Sequence, residues 1–222
     1  MKFKFFASCL LMMAIPCTFL TSCKDDKEDG PDPNPGPDDP YAYVDLGLPS
    51  GLLWAQYNVG ANAIEELGGY YAWGETEEKT SYTFDNYKYL DADGECEDIG
   101  NNISGTEYDV AHVKWGGKWR MPTGVEVQEL INSCTWVRDS YRGVECWVAT
   151  GPNGNKIIFP KAGYYLNGDE ISYPGQNGSY WSATANSLDQ NTAYYLVMGS
   201  NYRYDYTWKP GGQSVRAVRD PK

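Results

Sequence analysis

Few residues in this chain are equipped for chemistry. His112 is the single histidine, and neither a cysteine nor a serine stands near it in sequence. A nucleophile–base pair or a histidine metal site would have to be built around it alone, so it reads as a core or surface residue. Glu65-Glu66 and Glu77-Glu78 are adjacent pairs, whereas glycoside hydrolysis needs two separated carboxyls fixed across a cleft; they read as solvated faces. Asp91-Ala-Asp-Gly-Glu-Cys-Glu-Asp98 concentrates the oxygen ligands that calcium takes, but its glycine comes fourth where an EF-hand loop has it sixth. It reads as a polar loop. Of the cysteines, Cys96, Cys134 and Cys146 lie in the body of the chain, and their spacing, with no histidines to complete a ligand set, argues against zinc. No catalytic residue, metal or cofactor is expected, and the chain does not read as an enzyme.

Recognition has better carriers. Asn201-Tyr-Arg-Tyr-Asp-Tyr-Thr-Trp208 mixes stiff amphipathic rings with adaptable hydrogen-bonding groups, the composition of antibody contact loops. In an extended backbone Tyr202, Tyr204, Tyr206 and Trp208 share one face, and Asn201, Arg203 and Asp205 the other. Trp181, Asn186 and Asn191 are expected to line the same surface, and an aromatic ring beside amides also suits stacking on a sugar. The candidate ligand-binding set is therefore Trp181, Asn201, Tyr202, Arg203, Tyr204, Asp205, Tyr206 and Trp208, with a surface protein or a glycan as the partner. The competing reading is an edge hairpin whose tyrosines cover a neighbouring sheet.

The elements that must hold this stretch centre on residues 116–131. Thr123 and Glu126 form a Thr-x-x-Glu capping box, Pro122 pushes Met121 to extended backbone, and Val125, Leu130 and Ile131 supply an apolar face to a helix over 123–132. Trp115 and Trp119 on its approach are large enough to bury against a sheet. Residues 43–48 and 52–59 read as strands about a Pro-Ser-Gly turn, Ile64–Leu67 as one helical turn, Tyr70–Gly74 as buried, and 75–105 as an irregular excursion. Thr106–Asp109 opens a short helix that Gly116 and Gly117 end. Residues 147–150 and 156–160 form a hairpin about Asn153-Gly154, and 162–166, 180–183, 193–198 and 214–218 read as further strands. Cys134 and Cys146 flank a turn-like segment, 139–143, and are expected to form a disulfide in an oxidising compartment.

That compartment follows from the amino end. Met-Lys-Phe-Lys opens an apolar run from Phe5 to Leu20, followed by Leu20-Thr-Ser-Cys23, a secretory signal rather than a membrane span. The tetrapeptide resembles the bacterial lipobox, which implies cleavage before Cys23 and lipidation of that residue. Lys24–Asp29 resembles the acidic export signal of Bacteroidetes surface lipoproteins, and Gly30–Pro40 reads as an extended Pro-rich spacer. The organisation is thus a signal peptide at 1–22, a lipidated tether at 23–40 and one domain at 41–222, anchored to the outer membrane and facing outwards. The leader takes Lys2 and Lys4 with it, which leaves 16 Lys and Arg against 30 Asp and Glu, a formal charge of −14 in place of −12. Such a surface repels phosphate backbones, so nucleic acid is not an expected partner.

Seven ordered blocks carry a wider resemblance: Val44-Asp-Leu-Gly-Leu-Pro-Ser-Gly-Leu-Leu-Trp54, Asn58–Ala61, Tyr70–Glu75, Trp115–Thr123, Gly151–Gly154, Tyr180-Trp-Ser182 and Gly212-Gln-Ser-Val-Arg216. In this order they resemble the Fibrobacter succinogenes major paralogous domain, which is similar to the formylglycine-generating-enzyme branch of the C-type lectin fold. The resemblance implies an α+β, C-type-lectin-like domain on a lipoprotein, mainly antiparallel strands with short helices and long loops, and an adhesive role. The generating enzymes use two cysteines near the carboxyl end, but here no cysteine follows Cys146. A second similarity is to retroelement-diversified lectin-fold proteins, whose exposed positions share the composition of 199–208. The alternative to a ligand binder is a structural or assembly subunit of a surface appendage, such as a fimbrial tip component.

Overall fold

The structure is a computed structural model that describes residues 41–221; the signal peptide, Cys23 and the Pro-rich tether lie outside the described residues. It is a β-rich α+β arrangement in which the named strands all pair antiparallel. The two ends of the domain close one sheet: β1 (Tyr43–Asp45) and β11 (Val218–Arg219) flank β2 (Leu53–Ala55). A second sheet holds β3 (Thr135–Tyr141), β4 (Val144–Thr150) and β5 (Lys156–Pro160) in sequence order. A third is ordered β10–β9–β8, from Tyr202–Trp208, Thr192–Met198 and Gly178–Ala185. A short hairpin, β6 (Tyr164–Tyr165) with β7 (Ile171–Ser172), forms a separate two-stranded ladder tied to the rest by a bridge from Tyr165 to Gly212.

The third sheet is covered by a different core on each side. Val127 and Leu130 of α2 (Gly124–Ser133) pack against one face, together with Trp147, Phe159, Tyr180, Leu196 and Met198. Trp73, Trp119, Trp181, Val215 and Ala217 form the other core, beside Val110 and Ala111 of α1 (Val110–Trp115). The capping box of α2 forms as its sequence requires: Thr123 accepts from Glu126 N at 3.4 Å, and Glu126 accepts from Thr123 N at 2.7 Å. Its inward face, however, is set by Val127 and Leu130 with Ile131 at the margin, while Val125 is 78% exposed. The helical period fixes the spacing of a stripe, and tertiary packing decides where that stripe points.

Other expectations shift in detail. Ile64–Leu67 holds only a turn, with Glu66 N donating to Ala63 O. The short helix starts at Val110 because Asp109, fully buried, accepts from Ala111 N and His112 N. Residues 214–217 form only a single parallel bridge, Ser214 with Tyr180, and β11 begins only at Val218.

The expected Cys134–Cys146 disulfide is not formed, and Cys96, Cys134 and Cys146 are free and buried. Residues 135–141 are a strand, turning through Arg142 (φ 48°) and Gly143 (φ 85°) into β4 in register, with Asp139 opposite Cys146. Cys134 is thus five residues, about 17 Å, along the strand from Cys146's partner, beyond the reach of a disulfide. The Cys146 thiol donates instead to Asp139 O at 3.4 Å.

Candidate functional site

The stretch expected to bind is β10, a full strand at the edge of its sheet, paired among the described residues only with β9. The register sets Tyr202 opposite Met198, Tyr204 opposite Leu196, Tyr206 opposite Tyr194 and Trp208 opposite Thr192. Just beyond the strand, Lys209 N bonds Asn191 O at 2.9 Å, and at the other end Gly199 N bonds Asn201 O at 2.8 Å. Because hydrogen-bonded and non-bonded pairs alternate along an antiparallel ladder, Arg203, Asp205 and Thr207 also direct their backbone groups to β9. Tyr202, Tyr204, Tyr206 and Trp208 direct theirs to the open edge. The strand is pinned at its carboxyl end by Lys209, a buried cation 4.7 Å from the Trp73 ring centroid, whose burial lowers its pKa.

The four rings lie on one face, as alternation requires, but they divide by depth. Tyr202 is wedged between Trp136 and Trp147, at centroid distances of 5.0 and 5.3 Å, and closes the core beneath α2. Tyr204 stacks on Tyr194 at 4.9 Å and reaches over Gly124, where an added Cβ would overlap its hydroxyl. Tyr206 and Trp208 remain 54% and 48% exposed. Tyr206 meets Tyr194 edge-on at 6.1 Å, and Trp208 meets Phe84 edge-on at 5.1 Å. The outward part of the stretch is therefore a strip of Tyr194, Tyr206, Trp208 and Phe84. The two inward tyrosines follow the competing reading, in which rings cover a neighbouring element.

Trp181 does not join this strip. It pairs with Tyr195, which pairs with Asp205, so it sits on the opposite face of the sheet. It is 1% exposed, and its indole N–H donates to Tyr71 O at 2.7 Å. The expected amides are structural as well. Asn186 is buried, donating to Thr192 Oγ1 at 3.0 Å and accepting from Leu188 N at 3.1 Å to hold the β8–β9 turn. Asn191 accepts from Cys96 N at 2.8 Å and bonds Glu95, fastening the 91–98 loop to the sheet. Arg203 and Asp205 form an exposed ion pair at 2.8 Å on the Tyr195 side, and Asn201 is exposed at the turn. Burial raises the Tyr195 phenol to about 12, with the Asp205 carboxylate adding to the shift.

The groups that could support catalysis are used locally. His112 Nδ1 lies 3.3 Å from Trp119 O, in the wall of a cleft of about 260 Å³ shared with Lys118, Trp119, Arg120 and Asp220. The Arg120 guanidinium there is engaged by both Glu126 oxygens, at 2.8 and 2.6 Å, and by Asp220 at 2.8 Å. Burial pushes the thiols of Cys96, Cys134 and Cys146 up to about 11, away from the thiolate form a nucleophile needs. Asp91 accepts from Asp93 N and Glu95 N, both at 2.9 Å, as a turn residue. No group of three or more metal-ligating side chains gathers among the described residues.

Phe84 and Tyr194 were not singled out by the sequence. Phe84 sits in a single 3-10 turn (Phe84–Asn86) of the long excursion, and only the fold brings that turn to the end of β10. Tyr194 carries a usable signal, since strict alternation in β9 puts it opposite Tyr206 once the hairpin register is known. Comparison with models of protein families, with curated proteins and with solved structures returns no match.

Proposed function

We propose that this chain is a surface-displayed binding module, carried on the outer membrane by lipid at Cys23, whose C-type-lectin-like domain takes a protein partner on the strip of Tyr194, Tyr206, Trp208 and Phe84. The observation that carries this reading is the half-exposure of Tyr206 and Trp208 on a strand whose inner rings already close the core. Large apolar rings left in water at the end of a rigid sheet supply contact area at low entropy cost. The cleft at His112 and Trp119 contains none of the strip. Half-exposed rings outside that cleft favour a protein surface over a sugar ring held in a concave site. Nothing in this reading asks the domain to catalyse a reaction.

The test is the Tyr206→Ser, Trp208→Ser double variant on arrays of surface proteins and of glycans. The expected result is a protein-array signal that falls by tenfold or more, about 1.4 kcal/mol or greater, with an unchanged circular dichroism melt. A signal confined to glycans, or one indifferent to both substitutions, would remove the assignment. Replacing Tyr202 or Tyr204 is not an equivalent experiment, because those rings are packing. The free edge of β10 lends some weight to an assembly subunit as a second reading.

A further inference from the structure

We infer that two copies of this chain join edge to edge through β10, antiparallel and centred on Tyr204, so that Arg203 of each faces Asp205 of the other. An exposed seven-residue edge is a template for another strand. Here the outward backbone groups belong to Tyr202, Tyr204, Tyr206 and Trp208, as the ladder to β9 requires. Self-pairing must set outward residues against outward residues, which permits only a few centres. Centring on Arg203 or on Asp205 puts that charge against its own copy, a destabilising arrangement. Centring on Tyr206 puts Arg203 against Lys209. Centring on Thr207 would bring Asp205 to Lys209, but that lysine is buried over the Trp73 ring. Only centring on Tyr204 sets accessible opposite charges against each other, and twice over, because the two-fold axis repeats every contact.

Tyr202-Arg-Tyr-Asp-Tyr206 is thus complementary to its own reverse. In this register Tyr204 pairs with Tyr204 of the second copy, and Tyr202 with its Tyr206, which yields about six inter-strand hydrogen bonds. The result is one continuous sheet running β8–β9–β10 and back. In the single chain the same side chains blunt the edge. Asp205 Oδ2 holds Arg203 Nε at 2.9 Å, and Asp205 Oδ1 accepts from the outward-facing Tyr206 N at 3.0 Å. Pairing exchanges each intrachain ion pair for an interchain one and releases the Tyr206 amide to the ladder, so no charge is stranded. Trp208 of the two copies then stands roughly 27 Å apart along the strands, with both aromatic strips on the same face of the joined sheet.

The experiment is sedimentation equilibrium of the full chain in detergent, for the unmodified protein, for Arg203→Asp, for Asp205→Arg, and for an equimolar mixture of the two variants. The unmodified chain is expected to sediment as two copies, and each variant alone as one, with association weakened about tenfold or more by two like-charge pairs. The mixture is expected to regain the two-copy mass, because both pairs across the axis are then opposite in charge. The introduced aspartate of one chain meets the introduced arginine of the other, and the retained Asp205 of the first meets the retained Arg203 of the second. A purely local role for the Arg203–Asp205 pair would not produce that recovery. Arg203→Glu with Asp205→Lys repeats the design, should either first variant lose its circular dichroism signal. An unmodified chain that stays single, variants that still dimerise, or a mixture that stays single would each overturn the pairing. A single-copy Arg203→Asp chain that still captures a protein through Tyr206 and Trp208 leaves the binding strip intact while supporting the edge contact.

Discussion

Arg216 shows how a single side chain can join distant parts of this fold. It is 1% exposed and, among the described residues, has no carboxylate as a hydrogen-bond acceptor. Nε donates to Asn58 Oδ1 at 2.9 Å, Nη1 to Ala55 O and Gln56 O at 3.2 and 3.1 Å, and Nη2 to Ile158 O at 2.9 Å, while the plane lies 4.7 Å from the Phe159 ring centroid. Burial lowers its pKa to about 10, so it is still charged at neutral pH, held by four oxygen dipoles and an aromatic face. Arg216→Met is expected to leave those acceptors unpaired and to cost about 3 kcal/mol or more in a urea melt. Arg216→Lys should rescue little, since a point charge cannot span that fork. Alternation along the chain sets Arg216 apart from Val215 and Ala217, which join the core around Trp73 and Trp181. Its burial was not legible, because its acceptors are mostly backbone carbonyls far away in sequence.

Among the elements, α2 was the most readable and β3 the least. A capping box is local chemistry written in four residues, and Thr123 and Glu126 form it. Thr123→Ala is expected to cost about 1 kcal/mol by chemical melting; a change below a few tenths would mean that packing alone holds the helix start. Val125 misled because one apolar position cannot say which stripe a sheet will cover, and Val127 was the residue used. The sequence of β3, Thr-Trp-Val-Arg-Asp-Ser-Tyr, shows no apolar period since most of the strand is exposed. Missing that strand made 139–143 look like a turn wide enough to join two cysteines. At β10 alternation gave the ring face correctly, but which rings sink depended on Trp136, Trp147 and Tyr194, contributed by other strands.

At the scale of the molecule, the two cores and a third buried cluster around Tyr70, Tyr82 and Tyr87 keep many phenols out of water. Burial holds Tyr82, Tyr180 and Tyr195 up at about 12 against an ordinary 10, and raises Tyr70, Tyr71 and Tyr87 further still. A group whose folded pKa is raised contributes stability that is complete below the unfolded value and is lost as pH climbs through the folded one. Stability is therefore expected to decline from about pH 10 towards 12, and the slow phenolate absorbance to appear together with loss of the dichroism signal. Phenolate forming in full at 10 with the fold intact would contradict the burial. The β-rich class was visible in alternating runs and turn signals. The placement of Trp181 was not, because a strand's sequence gives its alternation but not which face a neighbouring strand will share.

The depth of Trp208 also makes the domain its own optical probe. Trp54, Trp73, Trp119, Trp147 and Trp181 are buried, and Trp115 and Trp136 are half-covered by stacked tyrosines. Trp208 is left as the indole most open to collisional quenching by a neutral molecule such as acrylamide. Emission from this one ring reports directly on the end of β10, so occupancy there can be followed without any attached dye.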